Sequence, residues 1–270
     1  MQTAPPGYNG ENAMGGDRMS EHNERDGVER LRRWVDSCDN IVFFGGAGVS
    51  TESGIPDFRS EDGLYRQHYD WPPETILSAG FFAAHPEEFY RFYREKMLVT
   101  GAQPGPAHLA LAELERRGKL RAVITQNIDG LHQKAGSRRV YELHGTIYQN
   151  RCLSCGALCG PEGLGKSGLP RCSCGGLIKP EVVLYGESLD GATLQGAVDA
   201  ISRCEMLIVG GTSLAVYPAA GLLQYYRGHR LVLINKGPTP QDGRADLLLR
   251  GSIGPILTEA IRPLGGEAAL

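Results

Sequence analysis

Ile41-Val42-Phe43-Phe44-Gly45-Gly46-Ala47-Gly48-Val49-Ser50-Thr51-Glu52-Ser53-Gly54 is the stretch that decides the fold. Four consecutive apolar residues suit a strand buried on both faces, the environment of a parallel sheet. Glycines directly after such a strand let backbone amides approach a pyrophosphate. Thr51 stands where the third glycine of Gly-x-Gly-x-x-Gly would be, so the match is partial. The chain then enters Ile55-Pro56-Asp57-Phe58-Arg59. Proline there interrupts the long helix that an ordinary dehydrogenase would show. The reading is a loop that folds over its ligand; the plainer alternative is a generic strand-to-helix turn.

Outward from this turn, helical and extended patterns alternate. Asp26 reads as the N-cap of a helix whose apolar stripe is Val28, Leu31, Trp34, Val35 and Cys38. Ala107–Arg117 reads as a helix closed by Gly118, and Leu194–Cys204, Ala219–Tyr226 and a stretch near 254–261 read as further helices. Ala122–Thr125, Val140–Leu143, Met206–Val209, Leu231–Ile234 and Leu247–Leu249 read as strands, with Val182–Leu184 a weaker candidate because Pro180 precedes it. Such alternation predicts an α/β fold, a Rossmann-like parallel sheet with helices on both faces. Residues 57–104, punctuated by Pro72, Pro73 and Pro86, read as a helical insertion. Residues 146–181 hold most of the cysteines and few large apolar residues, so a metal is needed to order them. The expected organisation is a flexible tail over 1–22 and a nucleotide-binding domain over 23–56, 105–145 and 182–270. The helical insertion and the zinc module over 146–181 complete it as a smaller domain.

At 270 residues the chain can bury a sizeable core, and 41% hydrophobic with 22% charged residues excludes general disorder. The longest apolar runs are far shorter than the roughly 20 residues of a membrane span. The first residues lack the apolar segment of a signal peptide, so a cytoplasmic location is expected. With 28 basic against 31 acidic residues, binding through phosphate neutralisation of nucleic acid is not expected.

Four further clusters follow strands. Thr125-Gln126-Asn127-Ile128-Asp129 offers amide and carboxylate groups suited to a carboxamide and ribose hydroxyls, although Asp129 could simply cap the next helix. His144, in Glu142-Leu143-His144-Gly145, is a candidate general base. Gly210-Gly211-Thr212-Ser213 and Asn235-Lys236 extend the same rim. Separately, Cys152-x-x-Cys155 and Cys172-x-Cys174 make two thiolate pairs, the donor set of a closed structural zinc site. Cys159 is a reserve ligand, and Cys38 and Cys204 read as buried thiols.

Taken together these motifs, with Val183-Leu184-Tyr185-Gly186-Glu187, resemble those of the sirtuins, NAD-dependent protein deacylases, from about Glu24 to Ile261. The resemblance implies that an acyl-lysine carbonyl oxygen attacks the nicotinamide ribose and nicotinamide leaves. Free lysine and O-acyl-ADP-ribose are then released. It implies His144 as general base, with Asn127 and Asp129 placing nicotinamide and ribose. Gly46, Ala47, Gly48, Ser50, Thr51, Asp57, Phe58, Arg59 and Tyr65 would meet NAD from the first loop. Gln126, Asn127, Ile128 and Asp129 would meet it from the second, and Gly211, Thr212, Ser213, Asn235 and Lys236 from the remaining two. The acetyl-lysine protein would lie as an added strand between Val183–Glu187 and Ser213–Tyr217, touching Val183, Leu184, Tyr185, Gly186, Glu187 and Val216. A monomer that binds neither nucleic acid nor membrane is expected. Lys179 and Tyr185 depart from the family, where arginine and phenylalanine are usual; neither removes a catalytic group. A mono-ADP-ribosyltransferase and a non-catalytic NAD sensor are the rival readings, the sensor disfavoured by the intact His144, Asn127 and Asp129.

One sirtuin branch takes acidic acyl groups through a Tyr-x-x-Arg pair. Here Tyr90 is followed at that spacing by Tyr93, and Arg94 comes one residue later, turned by about 100° on a helix. Phe89, Phe92 and Tyr93 then read as packing residues and Arg91 and Arg94 as solvated. Acetyl-lysine is the expected substrate.

Overall fold

The computed structural model describes residues 15–57 and 70–263, with side chains from residue 25. Helix α1 spans Gly15–Asp36, β1 Ile41–Gly45, α2 Pro73–Ile76, α3 Ala79–Ala84, α4 Pro86–Phe92 and α5 Pro106–Arg116. After β2 (Leu120–Thr125) come α6 (Leu131–Ala135), β3 (Val140–Glu142), β4 (Gly145–Cys152), β5 (Leu158–Cys159) and β6 (Ile178–Val182). The chain closes with α7 (Gly191–Arg203), β7 (Met206–Gly210), β8 (Leu231–Asn235), β9 (Leu247–Arg250) and α8 (Ile253–Ala260). Among the described residues no helix is long and apolar enough to cross a membrane.

Six parallel strands form the main sheet in the order β3-β2-β1-β7-β8-β9. Counted along the sheet's own strands this is the order of doubly wound nucleotide-binding folds, with the switch point between β1 and β7. All five residues of β1 are buried, because alternate side chains feed two cores. Ile41 and Phe43 pack with Leu31, Val35, Leu111, Leu114 and Leu257 of α1, α5 and α8. Val42 and Phe44 pack with Ala197, Ile201, Leu222 and Leu223 on the other face.

A third core joins the insertion to the cysteine-rich segment: Phe82, Phe89, Tyr90 and Tyr93 meet Ile147, Leu164, Ile178 and Val182. Arg94 is half-buried, with its guanidinium engaged by backbone. Its guanidinium donates to the carbonyls of Leu164 (2.6 Å), Gly165 (3.0 Å) and Gly168 (2.7 Å), tying the two segments together. Arg91 is exposed, as expected.

Three expectations need correction. Asp26 lies inside α1, which starts at Gly15; no proline or β-branched residue interrupts 15–26. Residues 15–22 are therefore helical, and 1–14 lie outside the described residues. Val182–Leu184 is no strand of the parallel sheet. Val182 ends β6, which pairs antiparallel with β4 at the edge of a three-stranded sheet, where Pro180 lacks an N–H without cost to a central ladder. Ala219–Tyr225 is a 3₁₀ helix, with Gly221 weakening any α-helical turn.

The loops after β1 and β7 nearly touch. The Gly48 amide donates to the Gly211 carbonyl at 2.8 Å, and a Cβ on Gly48 would lie 2.8 Å from the Gly211 Cα. Gly48→Ala is therefore expected to lower the unfolding free energy by about 1–3 kcal/mol. Urea denaturation tests this; an unchanged midpoint would mean the loops have room to part.

Candidate active site

The carboxyl ends of β1, β2, β7 and β8 lie along one edge of the sheet, where open parallel sheets bind their ligands. Three of the loops that leave this edge are stitched together. The Gln126 amide nitrogen of the backbone donates to the Gly45 carbonyl at 3.0 Å, and its side chain donates to Thr212 Oγ1 at 3.0 Å. Thr212 Oγ1 also accepts the Leu214 amide at 3.2 Å. Thr51 donates its hydroxyl to the Gly48 carbonyl at 3.1 Å, so it braces the first loop. Ser213 and Lys236 are exposed at the rim, Asp57 and Val216 are half-buried, and Asn235 donates to the Gly237 carbonyl at 3.1 Å. The expected contacts Phe58, Arg59 and Tyr65 lie outside the described residues. Glycine backbones with hydroxyl, amide and ammonium groups on four strand ends fit a dinucleotide.

Below this rim is a buried polar network. Ser50 donates to Asp129 Oδ2 at 2.6 Å and accepts from Asn127 Nδ2 at 3.0 Å. Asp129 Oδ1 accepts the Leu131 amide at 2.9 Å, so the carboxylate, one residue ahead of the Gly130 N-cap, holds the first amide of α6 and Ser50 at once. The sequence reading missed His108. It sits at the third position of α5, where its Nδ1 accepts the Gly105 amide at 3.1 Å. That contact leaves the proton of neutral His108 on Nε2, 3.5 Å from Ser50 Oγ. Burial lowers the His108 pKa, with Asp129 pulling the other way. His132 packs edge-on to His108 at 4.7 Å, and burial, then His108, push it down to about 3. A histidine three residues after Gly105, with Pro106 opening the helix, was the available signal, since that position reaches back to the cap amide.

His144 follows β3. Its Nδ1 lies 2.9 Å from the Gln126 carbonyl oxygen, which can only accept. The proton is therefore on Nδ1 and Nε2 carries the free lone pair. Burial lowers the His144 pKa, so the ring is neutral at pH 7. Burial also raises the neighbouring Glu142 carboxyl to about 7, with Asp129 adding to the rise and Gln133 opposing it.

The His144 carbonyl accepts the Val183 amide at 2.9 Å. Gly145 makes this possible: a Cβ there would lie 2.0 Å from the Glu181 carbonyl oxygen. Leu184–Glu187 is a turn, closed by the Glu187 amide on the Leu184 carbonyl at 2.9 Å with Gly186 at φ 90°. Tyr185 is bridged to the insertion, donating to the Leu77 carbonyl at 2.9 Å and accepting the Ala79 amide at 3.0 Å.

The Sγ atoms of Cys152, Cys155, Cys172 and Cys174 all lie within 4.8 Å of one another. Cys152 and Cys174 are 3.5 Å apart, and Cys155 and Cys172 3.7 Å. Tetrahedral zinc with bonds of about 2.3 Å needs sulfur separations of about 3.8 Å, so the set fits. Cys159 stays outside it and packs against the third core. Four thiolates leave no open position, which makes the site structural. Strong chelation should melt this segment and lower activity with it, read by circular dichroism and metal analysis. Purified protein without zinc, or Cys174→Ala with full zinc and unchanged stability, would refute the ligand set.

The model of the Sir2 family matches residues 46–218. An NAD-dependent protein deacetylase of Clostridium acetobutylicum is 54% identical over 87% of this chain and 98% of its own length. That of Clostridium perfringens is 52% identical over 87% and 99%. A solved Sir2 histidine-to-alanine variant with deacetylated p53 peptide and 3′-O-acetyl ADP-ribose is 38% identical. It superposes with a TM-score of 0.81 over 87% of this chain and 97% of its own. On these grounds, the chain belongs to the Sir2 family.

Proposed function

We infer that this chain is an NAD-dependent protein lysine deacetylase, passing the acetyl group of acetyl-lysine to ADP-ribose with release of nicotinamide. The observation that carries the reading is His144: a neutral ring, oriented by the Gln126 carbonyl, with an unprotonated Nε2 at the ligand-binding edge of the sheet. Bound NAD supplies the ribose that accepts the acyl group and the nicotinamide that leaves. His144 Nε2 takes the proton of a ribose hydroxyl. Ser50 and Asp129 hold the Asn127 amide in place from below, so its orientation is set before ligand arrives. Gly46, Gly48 and Gly211 keep side chains away from the phosphates, and Gln126, Thr212, Ser213, Asn235 and Lys236 supply polar contacts. The acetyl-lysine chain lies between the Val183–Glu187 segment and Ser213–Tyr217.

His144→Ala should cut turnover by about 10²–10⁴ while leaving NAD binding and the fold intact. Mass spectrometry of an acetyl-peptide incubated with and without NAD reads this; full turnover by the variant would sink the assignment. Because the His144 pKa is lowered, the neutral base persists below the ordinary value of about 6.5. The acid limb of the rate profile should therefore fall below that pH.

Acyl choice follows from Arg94. Its guanidinium is committed to the Leu164, Gly165 and Gly168 carbonyls and is not offered to an acyl carboxylate. Burying a carboxylate without a cation costs several kcal/mol. Acetyl-lysine should be preferred to succinyl-lysine in kcat/KM on one peptide, and a succinyl preference would overturn this reading.

A further inference from the structure

Lys179 has no place in the chemistry described so far, yet its ammonium is fully engaged. It lies on β6 and donates to the Pro180 carbonyl at 3.2 Å, the Val182 carbonyl at 3.1 Å and Glu187 Oε2 at 3.1 Å. An ammonium has three donors and no acceptor, so this set uses it completely. The same Glu187 oxygen accepts the Leu184 amide at 2.9 Å. One ion pair thus grips the Leu184–Glu187 turn from the strand that enters it and from the turn's first amide. The Lys179 side chain is 17% exposed and that of Glu187 31%, so water screens the pair only in part.

The other anchors of this segment lie elsewhere. Val183 is held to the His144 carbonyl, and Tyr185 to Leu77 and Ala79. Glu187 is held by its own amide on the Leu184 carbonyl, by the Leu184 amide on its carboxylate and by Lys179, and of these Lys179 alone lies outside the turn. Remove the ammonium and the carboxylate loses its charge partner, while the bonds to His144 and to the insertion remain. The half of the turn that carries Gly186 and Glu187 then loosens.

We propose that Lys179 is a positioning residue for the peptide substrate: by clamping Glu187 it holds the Leu184–Glu187 turn in the shape that receives the acyl-lysine chain. The proposal rests on the reading of Val183–Glu187 as one wall of the peptide site. A loose turn must be ordered by the incoming peptide, so the loss falls on peptide affinity and not on the chemical step.

The test is steady-state deacetylation of one acetyl-peptide at saturating NAD by the full-length enzyme and two variants. Lys179→Met keeps the aliphatic stem and removes the donors; Lys179→Arg keeps the charge. Lys179→Met should raise peptide KM about tenfold, the effect of having to order about one more residue on binding. Its kcat, NAD dissociation constant and zinc content should stay unchanged. Lys179→Arg should restore KM to within about twofold of the parent, since it keeps the positive charge and offers the Glu187 carboxylate N–H donors, although in a different, planar geometry. An unchanged KM in Lys179→Met, a parallel loss of kcat, NAD affinity or zinc, or no recovery in Lys179→Arg would each overturn the proposal alone. Absence of turnover by the unaltered enzyme would overturn the deacetylase reading and this proposal with it.

Discussion

The contact between the Gly48 amide and the Gly211 carbonyl, 2.8 Å long, is the constraint on which the site depends. β1 pairs with β2 on one side and β7 on the other, so the connections that leave these strands diverge at this point. The two loops can close over the gap only as bare backbone, because a Cβ on Gly211 would lie 2.5 Å from the Val49 amide nitrogen. Once they are joined, Gln126 reaches Thr212 across β1, and its carbonyl is left in place to orient His144. A sheet-level fact, the switch in strand order, thereby sets the direction of a single lone pair.

The histidines show how a neighbour decides what the same ring can do. His144 faces a carbonyl, so Nδ1 holds the proton and Nε2 is a base. His108 faces an amide, so Nδ1 accepts and Nε2 is a donor toward Ser50. Burial keeps both neutral, and it keeps His132 neutral beside them. A charged imidazole in the His108 position would carry its added proton on Nδ1, set donor against donor at the Gly105 amide and lose that contact.

The smaller lobe solves a different problem. Its aromatic core is drawn from two segments separated in the chain, and neither has enough apolar surface alone. The Arg94 guanidinium binds them through three carbonyls, and four cysteine thiols are gathered where they can hold zinc. Because β4 begins at Gly145, directly after His144, and β6 ends at Val182, two residues before Leu184 opens the Leu184–Glu187 turn, the lobe's order is passed to these residues by covalent continuity.

Local pattern was enough to read the parallel sheet, since Ile41–Phe44, Met206–Val209 and Leu231–Ile234 are apolar on both faces and each is followed by glycine or a small polar residue. It was enough for the cysteine pairs too, because ligand chemistry is carried by residue type and short spacing. The cap assignment at Asp26 failed because nothing in 15–26 breaks a helix, and the strand assignment at Val182 failed because a strand's partner depends on what lies across space. His108, Arg94 and Lys179 were opaque for the same reason. Each is defined by an acceptor or donor distant in sequence or folded back upon it: a cap amide and Ser50, three carbonyls 70 to 74 residues away, and a carboxylate across a turn. Periodicity reports which face of an element is apolar; the partner of a polar group, and with it its proton and its role, exists only once the chain has brought distant elements into contact.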